Sequence, residues 1–190
     1  LRKLRSGFTK EQLTLRVDAN GAFRFKEAQK VLIKLSELSI HSIEQPIKAG
    51  QHKEMKVLSV SKKFTGIALD EELIGVRDVV EKETLLDIIK PQYIILKPTL
   101  HGGISGTKEW ISLAEKRGIG WWITSALESN IGLNSICQLT SEYKVTIPQG
   151  LGTGSLYQNN IPSPLEVNGE YISYNANQQW DLSVLNFKSI

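Results

Sequence analysis

With 190 residues, 41% of them apolar and 23% charged, the chain has the composition of an ordinary soluble globular domain with a substantial core. A net charge of +3 without a long basic block disfavours nucleic acid as a partner, and no apolar run approaches the ~20 residues that span a bilayer, so no membrane partner is expected. The single cysteine, Cys137, excludes an internal disulfide and fits a reducing compartment. With no signal peptide visible, the expected location is the cytoplasm.

The opening LRKLRSGF reads as the inside of a helix and its exit, and it lacks an initiating Met, so the chain is expected to be part of something longer. From there one unit recurs: a short β-rich segment ends in a polar or charged residue, and a helical stretch follows. The segments are LTLRVD (13–18), SIHSIE (39–44), TGIALD (65–70), YIILK (93–97) and GWWITS (120–125). Helices are expected near 22–38, 51–63, 78–90, 106–117 and 130–142, and a sixth strand, KVTIP, at 144–148. This alternation implies a parallel sheet. Beyond it lie a loop at 148–154 and two prolines, Pro162 and Pro164. LEVNGEYISY then reads as a hairpin turning at Asn168-Gly169. The expected organisation is a partial barrel domain over 1–155 and a C-terminal loop, hairpin and tail over 156–190.

The segment ends Asp18, Glu44, Asp70, Lys97 and Ser125 are 26, 26, 27 and 28 residues apart. Each therefore holds the same place in successive units, on the C-terminal edge of the sheet, where βα-barrels carry their active sites. A doubly wound sheet also binds ligands at that edge, but VDANGAF lacks the glycine-rich phosphate turn such a sheet shows after its first strand. The fold class is therefore α/β, an incomplete TIM-type (β/α) barrel with about six strands against the eight, in about 250 residues, of a complete one. One further period back from Asp18 falls before Leu1.

Asp18, Glu44 and Asp70 would converge from three adjacent strands. Three carboxylates without a cysteine or histidine make a hard, all-oxygen site that selects Mg²⁺ or Mn²⁺ over zinc. The competing reading is that strand-end acids cap helices or pair with surface bases. Lys97 ends an apolar strand beside these acids and suits acid–base work or charge stabilisation, or a structural pairing with Asp70. Ser125 precedes a helix expected to start near Ser129 or Asn130. The free N–H groups of such a start favour a substrate carboxylate, and ordinary capping by Ser129 is compatible with that use. The loop GLGTG (150–154) is a weak ligand motif, and no acid occurs between Glu142 and Glu166 to pair with a substrate ammonium group. His101, in PTLHGGISG, is a possible pocket residue. Trp121 and Trp122 are expected to face opposite ways in their strand for packing, and Cys137 to be a buried small hydrophobe.

LRVDANGAF, IEQP, IALDEEL, ILKPTLHGG and TSALESNIGLN together resemble the barrel domain of the enolase superfamily, in the muconate-lactonizing-enzyme-like branch. Within it they are most similar to the o-succinylbenzoate synthase family of menaquinone biosynthesis, over about residues 12–165. The resemblance implies that Asp18, Glu44 and Asp70 are Mg²⁺ ligands, with Asp70 favoured over Glu71, and that Asn20 is a site asparagine. It makes Lys97 the charge-stabilising lysine. It places Ser125, Ser129, Asn130, Ile131 and Gly132 at the substrate-contacting end of a strand. The implied reaction is a syn β-elimination of water from a small-molecule carboxylate through an enediolate. A Lys or His base beside Mg²⁺ is the general pattern of these sites.

Two family features fall outside the chain. The proton-transfer lysine belongs to a K-x-K pattern on the strand before the one ending at Asp18, and an N-terminal capping domain closes the site. Lys3 and Lys10 are too near Asp18 to replace that lysine, so the chain is expected to turn over little by itself and to need the missing domain or an oligomeric partner. The alternatives are an N-acylamino acid racemase or dipeptide epimerase of the same superfamily, and a non-catalytic barrel piece. The acid-free stretch 143–165 weighs against the dipeptide epimerase.

Overall fold

The computed structural model describes residues 1–183 and 185. Five short strands, β1 (Arg16–Asp18), β2 (Ser42–Glu44), β3 (Gly66–Leu69), β4 (Tyr93–Leu96) and β5 (Gly120–Ile123), form one sheet in the order β1-β2-β3-β4-β5. β1 to β4 pair in parallel, each with its neighbour in sequence. Helices α2 (Phe25–Glu37), α3 (His52–Val60), α4 (Val79–Ile89) and α5 (Gly103–Glu115) connect them, α1 (Arg2–Gly7) precedes them and α6 (Asn130–Ser141) follows. A doubly wound sheet reverses its strand order at a switch point. Here the order runs straight through, as in an arc of a barrel. No helix among the described residues is long and apolar enough to cross a membrane.

The chain divides into two compact units, one of Leu1–Leu96 with Leu100–Trp121, the other of Lys97–Thr99 with the chain from Trp122 onward. In the first, the strands bury Ile43, Ile67, Ala68, Leu69, Ile94, Ile95 and Leu96. α2 covers its side of the core with Ala28, Leu32 and Leu35, the i, i+4, i+7 stripe of an amphipathic helix. α4 starts where Asp78 accepts hydrogen bonds from the N–H groups of Val80 (2.8 Å) and Glu81 (3.2 Å). It is stitched to α5 by a lysine inside the protein. Lys82, 2% exposed, donates to Glu109 Oε1 at 2.5 Å, and its Nζ lies 5.2 Å from the centre of the Trp110 ring.

In the second unit, α6 buries Leu133, Ile136 and Leu139. The sixth strand expected over 144–148 does not form, so the sheet has five strands and not six. The chain meets β5 through a single bridge, Thr124 to Gly150. The Ile123 N–H that a strand carbonyl would have taken donates instead to the side chain of Gln149 (2.7 Å). One side-chain amide thus replaces a ladder. The hairpin does form, from β6 (Leu165–Asn168) and β7 (Tyr171–Tyr174). Asn168 and Tyr171 close it, so its loop is Gly169-Glu170, one residue later than the Asn-Gly signal places it. Trp122 is buried and Trp121 half-buried, in keeping with opposite faces of a strand. Cys137 is half-buried, and burial pushes its thiol up to about 11, which leaves it a poor nucleophile.

The Lys82 pair gives an asymmetric expectation. Glu109→Ala strands a buried ammonium and should cost about 2 kcal/mol, less than a fully buried pair because Glu109 is partly exposed. Lys82→Met removes the charge together with the need for a partner and should stay within about 1 kcal/mol of the parent. Urea unfolding of the two variants checks the order.

Candidate active site

The three acids are set by strand register. Arg16, Ser42 and Gly66 stand side by side on β1, β2 and β3; two residues on, so do Asp18, Glu44 and Ala68. Asp18 and Glu44 are therefore level, and Asp70 lies two residues further along β3. The strand ends are sewn together beyond the sheet. Ala19 N–H donates to Glu44 O (3.0 Å), Gly21 N–H to Gln45 O (2.7 Å), Phe23 N–H to Pro46 O (3.2 Å) and Gln45 N–H to Ala68 O (2.9 Å). This close approach requires a glycine at 21. Its φ is +70°, and a Cβ there would lie 3.0 Å from the backbone of Lys48.

Asp18 is exposed and turned onto Asn20, whose N–H donates to Oδ1 (2.8 Å) and whose side-chain amide donates to Oδ2 (2.9 Å). The same amide reaches Glu71 Oε1 at 3.3 Å. Asn20 thus joins the ends of β1 and β3. Glu44 is half-buried and Asp70 only 1% exposed. Asp70 heads the 3₁₀ turn Glu71–Leu73 but makes no side-chain capping bond to it, so helix capping does not account for this acid. Glu71 Oε2 is buried with no hydrogen-bond partner, an anionic oxygen that a hard cation would satisfy. In chemistry the donor set fits Mg²⁺. In arrangement, no three His, Cys, Asp or Glu side chains among the described residues are gathered as a metal cage.

Below these acids lies a polar cluster that the sequence did not reveal. Gln45 is fully buried. Its Oε1 accepts from Asp70 N–H (3.2 Å) and Glu72 N–H (3.3 Å), and its Nε2 donates to Ile47 O (3.1 Å) and Glu72 Oε2 (3.0 Å). Glu72 Oε1 also accepts from Gly50 N–H (2.8 Å) and pairs with His52 Nε2 (2.9 Å). A Gln between Glu44 and Pro46 reads as loop surface, and only the repeated acids of DEE hint that more than one carboxylate serves this edge.

In the second unit, Lys97 directly follows β4 and is half-buried, with buried Pro98 after it. The centre of this unit's polar groups is Glu128, another residue the sequence left unmarked. It accepts from the hydroxyls of Thr99 (2.6 Å) and Ser125 (2.6 Å) and from Ala126 N–H (2.9 Å). Ser125 Oγ in turn accepts from Leu127 N–H (2.8 Å). Burial raises the Glu128 carboxyl, but the Ser125 and Thr99 hydroxyls and the local amides outweigh it and hold the group below the ordinary glutamate value. Gly132, one helical turn on, leaves room for it, since a Cβ there would come 2.8 Å from Glu128 Cβ.

Ser129 occupies the N-cap position of α6 without a side-chain capping bond. The cap comes from Asn160, whose Oδ1 accepts from Asn130 N–H (2.8 Å) and Ile161 N–H (2.8 Å) and whose Nδ2 donates to Asn130 Oδ1 (3.1 Å) and Gly154 O (2.8 Å). Asn130 Nδ2 completes the exchange with Ile161 O (2.7 Å). Asn160 thus ties the start of α6 to the GLGTG loop. Ser129 and Ile131 are exposed. His101, in the first unit, is buried at 2% exposure.

The family model for enolase C-terminal domain-like proteins matches residues 1–178. The chain belongs to that family. An o-succinylbenzoate synthase of Desulfotalea psychrophila is 54% identical over 166 residues, which are 87% of this chain and 45% of that protein. The crystal structure of MenC from the same organism superposes with a TM-score of 0.86 at 53% identity, covering 90% of this chain and 48% of that one. A hydrophobic dipeptide epimerase of Enterococcus faecalis is 30% identical over 135 residues, 70% of this chain and 36% of the relative. The chain spans less than half the length of these relatives.

Asn160→Ala removes the α6 cap and two donors together and should lower stability by about 1–3 kcal/mol. Asn160→Asp, which keeps the acceptor facing the helix dipole, should cost less; thermal unfolding ranks the two. Because the Glu128 carboxyl is depressed, its contribution to stability is present above the ordinary glutamate pKa and is lost as pH falls through the folded value. Glu128→Gln should therefore flatten the fall in melting temperature between about pH 5 and pH 3.

Proposed function

We propose that the chain is the metal-binding part of an o-succinylbenzoate synthase-type lyase of menaquinone biosynthesis, acting in the cytoplasm by Mg²⁺-dependent syn elimination of water. The observation that carries this reading is the level placement of Asp18 and Glu44, with Asp70 just past the end of the next strand, in a chain 54% identical over 166 residues to a protein of that name. Asp18, Glu44 and Asp70 are the residues that would hold Mg²⁺, or Mn²⁺ in its place, with Glu71 beside them. The bound cation would supply stabilisation of the negative charge that builds on the substrate carboxylate as the adjacent C–H is broken.

The chain's own residues do the rest. Asn20 orients Asp18 and links it to Glu71. Lys97 contributes positive charge toward the carbanion-like face of the substrate. Ser125 and the start of α6 at Ser129, Asn130, Ile131 and Gly132 bound the substrate. The structure commits the Ser125 hydroxyl and the Asn130 amide to internal partners, so the groups left for contact there are the Ser129 side chain and the Ile131 and Gly132 backbone. The base that takes the proton and returns it to the departing hydroxyl is the lysine that the resemblance assigns to the strand before β1.

Relatives named as epimerases support a second reading, a dipeptide epimerase or N-acylamino acid racemase of the same superfamily, of which the racemase needs no partner for a substrate ammonium group. The stretch 143–165 contains no acid to supply one.

A dehydration assay decides between them, run on the chain expressed together with the segment that carries the proton-transfer lysine. Lys97→Ala should lower kcat by about 10²-fold or more. Activity equal to the parent would remove Lys97 from the site, and epimerisation without dehydration would favour the second reading. In the 190-residue chain, Asp18→Ala or Glu44→Ala should weaken Mg²⁺ binding at least about tenfold in a calorimetric titration.

A further inference from the structure

Gln45 touches all three acid-bearing strand ends through its own atoms. Its backbone carbonyl receives Gly21 N–H from the loop after β1, and its backbone N–H is spent on Ala68 of β3. It directly follows Glu44. Its side-chain oxygen receives the N–H groups of Asp70 and Glu72. The chain takes a left-handed turn to place it, with φ of +35°, a conformation that costs a non-glycine residue energy and persists only when its surroundings enforce it. With the amide fully buried and both donors and both acceptor sites filled, the side chain has a single orientation.

We infer that Gln45 is the positioning residue of the metal site, setting Asp70 against Glu44 and Asp18 so that the three carboxylates can close on one cation. This rests on the assignment of those acids as ligands. Asp70 lies two residues beyond the level of the other two, past the last β3 residue, so ladder pairing does not fix its backbone. The hydrogen bond from Asp70 N–H to Gln45 Oε1 supplies that constraint. The second bond, from Glu72 N–H, fixes the turn on the other side of Glu71, whose carboxylate meets Asn20. Glu72 holds the far side of the amide, and its contact with His52 lies outside the path from Gln45 to Asp70. The ligand oxygens belong to Asp18, Glu44 and Asp70, and Gln45 acts through them.

The test is Mn²⁺ binding to the 190-residue chain, followed by electron paramagnetic resonance well below the unfolding temperature, with thermal unfolding in parallel. Gln45→Met keeps the volume and removes the hydrogen bonds. Gln45→Asn keeps a buried amide but is one methylene too short to reach Asp70, and it decides the matter if the Met variant does not fold. His52→Ala is the control for a merely structural loss, since it strips an outer contact of Glu72 and leaves Gln45 and Asp70 joined. The expected result is at least a tenfold rise in Kd for the folded Gln45 variant, with His52→Ala at the parent value even if its melting temperature falls. Parent-like Kd in the Gln45 variants, or an equal rise in His52→Ala, overturns the positioning role while the metal site stands. Failure of the parent chain to bind Mn²⁺ overturns the metal assignment itself, and the inference with it.

Discussion

A side-chain amide has two hydrogens to give and room for two to receive, and at Gln45 all four places are taken inside the protein. That saturation governs the C-terminal sheet edge of the first unit. Parallel strands deliver their ends to one edge but leave the residues just past them without ladder partners. Three such ends must still agree in position to within a few tenths of an ångström if their side chains are to share one ion. A buried amide that accepts from the backbone beyond β3 while its own backbone bonds the loop beyond β1 supplies the agreement. Loss of any one bond would leave a buried polar group unpaired, so the cluster holds or fails as a unit.

The second unit uses the same device with a carboxylate. Glu128 gathers the hydroxyls of Thr99 and Ser125 and the N–H of Ala126, and so orders the segment after β4 and the turn before α6 together. Gln45, Glu72, Glu128 and Asn160 use their side chains to hold backbone segments in place, while Asp18, Glu44 and Lys97 stand at strand ends as exposed or half-buried residues. The reaction proposed for the family requires both, since charge stabilisation is effective only from groups already fixed in place.

The repeat was legible because successive units of nearly constant length put equivalent residues on one edge, and the charged residue closing each apolar segment marked that edge. Element ends were less so. Leu13–Leu15 read as strand, yet the ladder with β2 begins only at Arg16, and Leu13 O is taken by the Arg5 guanidinium (3.0 Å). KVTIP alternates like a strand, but the Gln149 side chain occupies the site a sixth strand would fill. Gln45 lay hidden because a local pattern cannot show that a polar residue is buried. Its partners are 25 and 27 residues away, at Asp70 and Glu72.

Asn160 shares that remoteness, with a consequence in time. It lies 30 residues after the helix start it completes. At roughly 5–20 residues per second of synthesis, the first turn of α6 is made about 2–6 seconds before its cap exists. During that interval the Asn130 amide must find water or some other acceptor. The loop that carries Asn160 must then return to displace it, beside the GLGTG segment whose Gly154 carbonyl the same side chain takes up. A residue translated well after the helix is thus what fixes its beginning, and a nascent chain halted before residue 160 would present α6 with a frayed start.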